Sequence, residues 1–171
     1  MTEFTQYLEH YISLIPSEDW KKELLISKNK TLDLLNPLSD QEALFHYQEG
    51  KWSIKEVLQH LMDAERIFLY RALRFSRRDT QPLQGWDEQL YAQNANANAR
   101  PFPEMLEEFQ CVRKSTYLFF QGLAKESLQF SGVANGHEIQ VEQLGKLLLG
   151  HHLHHLEILK SRYFQKMTWN K

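Results

Sequence analysis

Residues 141–164 read VEQLGKLLLGHHLHHLEILKSRYF, and this stretch decides the architecture. No proline interrupts it. At 3.6 residues per turn, Leu144, Leu147, Leu148, His151, His155, Ile158 and Arg162 share one face. Leu149, Leu153 and Leu156 form a second apolar strip on another side, and His152 and His154 flank the first. A helix that is apolar on two sides is either central in its bundle or shared with a partner.

Working outward, the rest of the chain also reads as helical. Leucine supplies 26 of the 171 residues, Gly and Pro are few, and strand alternation is nearly absent. A first helix is expected from about Glu3 to Leu14, before Pro16, and a second from near Ser17 to about Leu35, stopped by Asn36-Pro37. Ser39 with Glu42 is a capping-box pattern for one short turn. Ser53 with Glu56 is a stronger one and opens a long helix to about Arg77. On that helix Val57, Leu61, Ala64, Phe68 and Phe75 form a core stripe with His60 on its margin. Residues 79–101 make a long connection with a helical turn around Asp87–Gln93. Connections of this length are often functional. A further helix, from about Pro103 to Lys125, turns Met105, Phe109, Val112, Thr116, Phe119, Phe120 and Leu123 to one side. Asn135-Gly136 marks a tight hairpin, expected to be an ornament on the helices. Four long helices with one long crossover predict an all-α four-helix bundle. One domain is expected over 1–171, with a core at about 17–163 and a helical extension at 1–15.

Composition excludes several classes. The formal net charge is −2, against a strongly basic nucleic-acid binder. A single cysteine, Cys111, excludes an internal disulfide framework. No run approaches the length of a membrane span, and the N-terminal residues lack the features of a signal peptide. A soluble cytoplasmic protein is expected, with no nucleic acid or membrane among its partners.

The eight histidines are the compositional outlier. His151 and His155 stand one turn apart on an apolar face, where two imidazoles can converge on one ion at about 2.0–2.1 Å. Burying two stacked imidazoles is costly unless they are bonded or ligated. The alternative is a pair of hydrogen-bonded core histidines. His60, on the core stripe of another helix, supplies a third donor. Three histidines leave part of the coordination sphere open, as in catalytic rather than structural sites. HExxH is missing, as is any Glu-x-x-His pair, so zincin and di-iron arrangements do not apply. Glu56 is claimed by its capping box, and His10, His46 and His137 read as surface or turn residues.

Three segments together, GKWSIKEVLQHLMDAERIFLYRAL (50–73), LQGWDEQLY (83–91) and LLLGHHLHHLEILKSRY (147–163), resemble the DinB-like superfamily. The match lies in their order: Trp-Ser with a histidine eight residues after the Trp, a Gly-aromatic-Asp-Glu crossover, and His-x-x-His-His on the last helix. The resemblance implies an up-down-down-up bundle holding a divalent metal, zinc or nickel, on His60, His151 and His155. His154 matches the extra family histidine, and His152 has no counterpart role. Relatives include S-transferases using low-molecular-weight thiols, and many members are homodimers. The chain departs from the family at Glu157-Ile158, where many members carry Gly-Gln, and at Gln140, where a Thr caps the last helix.

The function expected from this likeness is metal-dependent transfer of a low-molecular-weight thiol to a small electrophile. A metal-dependent hydrolase and a non-catalytic metal-binding stress-response dimer, joined through Leu149, Leu153 and Leu156, are the alternatives. Asp87 is the catalytic candidate, for orienting substrate, with helix capping as its competing role. Arg71 could meet an anionic substrate, although an ion pair with a facing carboxylate is the favoured expectation. Asp63 and Glu65 could accept imidazole N–H groups or be plain solvated residues. Cys111 falls opposite the apolar stripe of its helix and is given no catalytic role.

Overall fold

The computed structural model describes residues 2–167. Four long helices form the bundle: α2 (Trp20–Leu35), α3 (Ile54–Ser76), α5 (Phe102–Gly122) and α6 (Val141–Ile158). A preceding α1 (Glu3–Ser13) and a short α4 (Glu88–Asn94) lie outside it. A hairpin of β1 (Ser131–Ala134) and β2 (His137–Gln140) leads into α6.

Side-chain contacts fix the directions. The start of α2 meets the start of α6, since a Cβ on Gly145 would strike the Trp20 ring, and Thr31 later on α2 bonds His152 later on α6. Trp20 also packs on Phe120, at the end of α5, so α2 and α5 run antiparallel. At the start of α3, Ser53 Oγ donates to Asn98 and Lys55 Nζ to the Arg100 carbonyl, both just before α5, so these two helices start at the same end. The Tyr163 hydroxyl, just beyond α6, donates to the carbonyl of Trp52, just before α3, at 2.7 Å. The order is up-down-down-up, as expected.

Local chemistry sets the boundaries. The Ser53–Glu56 capping box forms, each side chain bonding the other residue's backbone N–H. Ser39 and Glu42 bond in the same reciprocal way. α2 begins three residues later than Ser17, because Asp19 is its cap and accepts from the Lys22 N–H. α6 runs as an α-helix only to Ile158 and continues as a π turn over Leu159–Phe164. The wider turn shifts the register, so Tyr163 is buried while Arg162, expected on the histidine face, is exposed.

One open alternative resolves and one expectation is corrected. The Leu149/Leu153/Leu156 strip packs within the chain: Leu149 and Leu156 are buried and Leu153 lies against the same core, so α6 is central. The hairpin is not an ornament. Ala134 and Ile139 are core residues, and the crossover docks on β1 through Leu83, whose N–H donates to Val133 and whose carbonyl accepts from Asn135, both at 2.9 Å. Asn135 and Gly136 both take positive φ (51° and 77°), which a tight hairpin of this kind requires. α1 lies on α6 so closely that a Cβ on Gly150 would sit 2.1 Å from the Tyr11 carbonyl oxygen.

At the centre of the bundle lies a polar hub that the apolar patterning did not reveal. Arg113 is fully buried. Its Nε and Nη2 donate to Glu65, Nη1 to the Leu24 carbonyl and Ser27 Oγ, and Nη2 also to His152 Nδ1 at 2.9 Å. Because a guanidinium only donates, His152 Nδ1 accepts and its proton sits on Nε2, which donates to Thr31 Oγ1 at 2.9 Å. The hub therefore joins α2, α3, α5 and α6.

Removing one member strands a buried charge. Arg113→Ala is expected to cost about 3–5 kcal/mol in urea unfolding, and the Arg113→Ala/Glu65→Ala double variant less than the sum of the singles. Simple additivity would show that the two side chains act independently.

Candidate metal centre

His60 comes from the first half of α3, and His151 and His155 from the second half of the antiparallel α6. The crossing of these helices brings the three rings together. Ring centroids lie 4.9 Å (His60–His151), 4.8 Å (His60–His155) and 4.6 Å (His151–His155) apart. One ring nitrogen from each residue falls within 4.8 Å of the others, and the Nε2 atoms of His60 and His151 are 3.1 Å apart. These are the three histidines that helical spacing placed on two core faces and that the family resemblance implied as ligands.

Their surroundings keep the rings neutral. Trp52 packs on His60 with centroids 4.8 Å apart, and Trp86 stacks on it at 5.9 Å, only 18° from parallel. Tyr11 and Phe68 approach His151 at 5.8 and 6.0 Å. Burial pulls the His60 imidazole down to about 4, and pulls His155 down to about 3 with help from its histidine neighbours. His151 is held well below its ordinary value, by burial first and the other histidines second. Neutral imidazoles offer the lone pairs that a cation needs. By donor chemistry, spacing and protonation state the set fits a divalent ion.

The remaining candidates fall elsewhere. Asp87 is the N-cap of α4, exposed, with Oδ1 accepting from the N–H groups of Gln89 and Leu90. Asp63 accepts from Gln59 Nε2 and lines a hollow under α4, while Glu65 is buried in the Arg113 hub; neither bonds a triad imidazole. His154 is half-buried, against the rings of His10, Tyr11 and His155, outside the three-nitrogen cluster. Arg71 makes no ion pair among the described residues, contrary to expectation; its Nη2 donates to the Gln84 carbonyl at 2.9 Å. His10, His46 and His137 are exposed, as expected, and so is Cys111.

Three residues escaped the sequence reading. Trp52 and Trp86 wall His60, and Glu88, not its neighbour Asp87, lines the hollows on both sides of the triad. The Trp-Ser and Gly-Trp-Asp-Glu motifs contained all three. Nothing in the motifs says which of the two acidic residues borders the hollows.

The chain matches the DinB superfamily over residues 23–159. It belongs to that superfamily. A curated relative from Oceanobacillus iheyensis, named "Putative metal-dependent hydrolase OB0413", is 26% identical over 145 residues, spanning 83% of this chain and 82% of its own. The fold is that of YfiT from Bacillus subtilis, described as a probable metal-dependent hydrolase with an unusual four-helix bundle topology. That superposition has a TM-score of 0.77 over 86% of each chain at 16% identity. α1 lies outside the matched stretch. Among the described residues no helix is long and apolar enough to cross a membrane.

The depressed histidines give a pH dependence of definite sign. Unfolded imidazoles protonate near 6.5, whereas folded His60 and His155 wait until about 4 and about 3. Stability of the metal-free protein is therefore full above about pH 6.5 and falls as pH drops toward 4, by up to about 1.4 kcal/mol per pH unit for each group. Urea midpoints at pH 7 and pH 5 measure this, and equal midpoints would contradict it.

Proposed function

We propose that His60, His151 and His155 hold a divalent metal, zinc or nickel, and that the protein uses it to join an external nucleophile to a small electrophile. The supporting observation is the convergence of three neutral, buried imidazoles beside hollows large enough for small molecules. A divalent ion bound there supplies Lewis acidity, which acidifies a thiol or water presented to it and polarises a substrate.

The chain's own groups define the remaining roles. Its single cysteine is exposed on α5, a helix that carries none of the three histidines, so the chain offers no thiol nucleophile at the site. The nucleophile enters from outside. A low-molecular-weight thiol is the first reading and makes the protein an S-transferase. Water is the second, favoured by the metal-dependent hydrolase names of the relatives. Trp52 and Trp86 keep bulk water from His60. Glu88 is assigned as the acceptor of the nucleophile's proton, because this residue borders both hollows. Asp87 sets the start of α4 and so the placing of Glu88. The leucine strip of α6 is consumed within the fold, so any homodimer uses another face.

Metal analysis of untagged protein after chelation and reloading tests the centre. Wild type should retain about one equivalent of zinc or nickel, and the His60→Ala, His151→Ala and His155→Ala variants should bind at least tenfold more weakly. Unchanged metal content in His60→Ala and His151→Ala would remove the proposed centre. Metal-loaded protein is then assayed with a thiol panel and a chlorinated arene, and separately with an activated ester. Chelator-sensitive thioether formation supports the transferase, and chelator-sensitive ester cleavage supports the hydrolase. Stoichiometric metal with neither product would leave a binding protein.

A further inference from the structure

One layer beyond the triad lies a cavity of about 390 Å³, between α1, α3, the crossover, the hairpin and the start of α6. It shares two walls with the metal centre: Phe68, whose ring faces His151, and Trp86, whose ring covers His60. The remaining lining is mixed: Phe4, Ile139, Leu144 and Leu147 supply apolar surface, Asn135 and His137 polar groups, and Arg71 a cation.

That cation, Arg71, is only 7% exposed and without a carboxylate partner among the described residues. One of its N–H groups is taken by the Gln84 carbonyl. No buried side-chain nitrogen in the described structure is sealed off without a partner, so its remaining donors keep access to solvent, and Arg71 lines the cavity. A guanidinium stays charged, and burying one without a counter-ion is costly. Beside it stands Tyr7 of α1, 44% exposed, whose hydroxyl is a donor at neutral pH. The acidic groups of the lining, Glu3 and Glu88, are exposed at its rim and disfavour a ligand charged negatively at both ends.

We infer that this cavity binds a small monocarboxylate with an apolar body, its carboxylate paired to Arg71 and its body laid against Phe68 and Trp86 toward the triad. This deepens the proposed function by naming the substrate class, and it rests on the triad being the reactive centre. Arg71 stands three turns along α3 from His60, about 16 Å at 1.5 Å per residue, so the anchoring and reacting ends of the ligand are separated. The α1 wall of the cavity lies outside the superfamily match, whereas Arg71 lies within it.

The test is a ¹⁹F NMR titration with 4-(trifluoromethyl)benzoate and its neutral counterpart 4-(trifluoromethyl)benzyl alcohol. Both are run on the protein as purified and after chelation, with wild type, Arg71→Met and Arg71→Lys. The expected result is a preference of about tenfold or more for the carboxylate in both metal states, abolished in Arg71→Met and partly kept in Arg71→Lys. Equal affinity for the two probes in wild type overturns the inference, as does failure of both to bind at millimolar concentration. A preference that survives Arg71→Met but vanishes on chelation also overturns it, by placing the carboxylate on the metal. Should Arg71→Met fail to fold by circular dichroism, wild type and Arg71→Lys decide the matter. The chelated arm does not depend on the triad, so loss of the metal reading and loss of this one are distinguishable.

Discussion

The Arg113 guanidinium sits where four helices meet, with no solvent exposure, and its donors go to Glu65, Ser27, the Leu24 carbonyl and His152. Breaking such a group's contacts is far more costly than its net contribution to stability suggests, so the hub acts on register more than on total stability. Its contact with His152 fixes the rotation of α6 about its axis. Successive residues on a helix differ by about 100°, so once His152 turns toward α2 and α5, its neighbour His151 must turn toward α3. His155, one turn on, follows. The convergence with His60 is thus a consequence of where a neighbouring, non-ligating histidine is tied.

The second constraint is the crossover. A long connection has no reason of its own to lie over a site, and here it is held at both ends. Leu83 joins the edge of the hairpin, Asn98 accepts from Ser53 Oγ, and the Arg100 carbonyl accepts from the buried Lys55. Between these points Trp86 is laid on His60, and Asp87 starts the short helix that carries Glu88 and Tyr91. The same packing that lowers the imidazole basicity also forms the boundary, Phe68 and Trp86, that the triad shares with the Arg71 cavity. Neutral donors and a sheltered approach share one cause.

Much of this was legible in the residues. The bundle followed from helical periodicity and sparse Gly and Pro, the start of α3 from Ser53 and Glu56, and the triad from two apolar stripes that each carried histidine. What stayed hidden depends on tertiary pairing. Arg113 and Glu65 look like surface residues of amphipathic helices, because local spacing does not show that they face each other in the core. His152 looked surplus for the same reason. The π turn after Ile158 cannot be read from a wheel that assumes constant pitch, and so Arg162 was put on the wrong face. Asp87, the carboxylate singled out from the motif, caps α4, and its neighbour Glu88 borders the hollows. The leucine strip on α6 was read correctly as apolar, but its partner was the chain itself.

The central claim is that three imidazoles from two helices form one metal centre with an open position. X-ray absorption spectroscopy of metal-loaded protein addresses it most directly. The account predicts three imidazole nitrogens at about 2.0–2.1 Å from the ion, at least one further light oxygen or nitrogen scatterer, and no sulfur. A shell with one or no imidazole, or one containing sulfur, would contradict it.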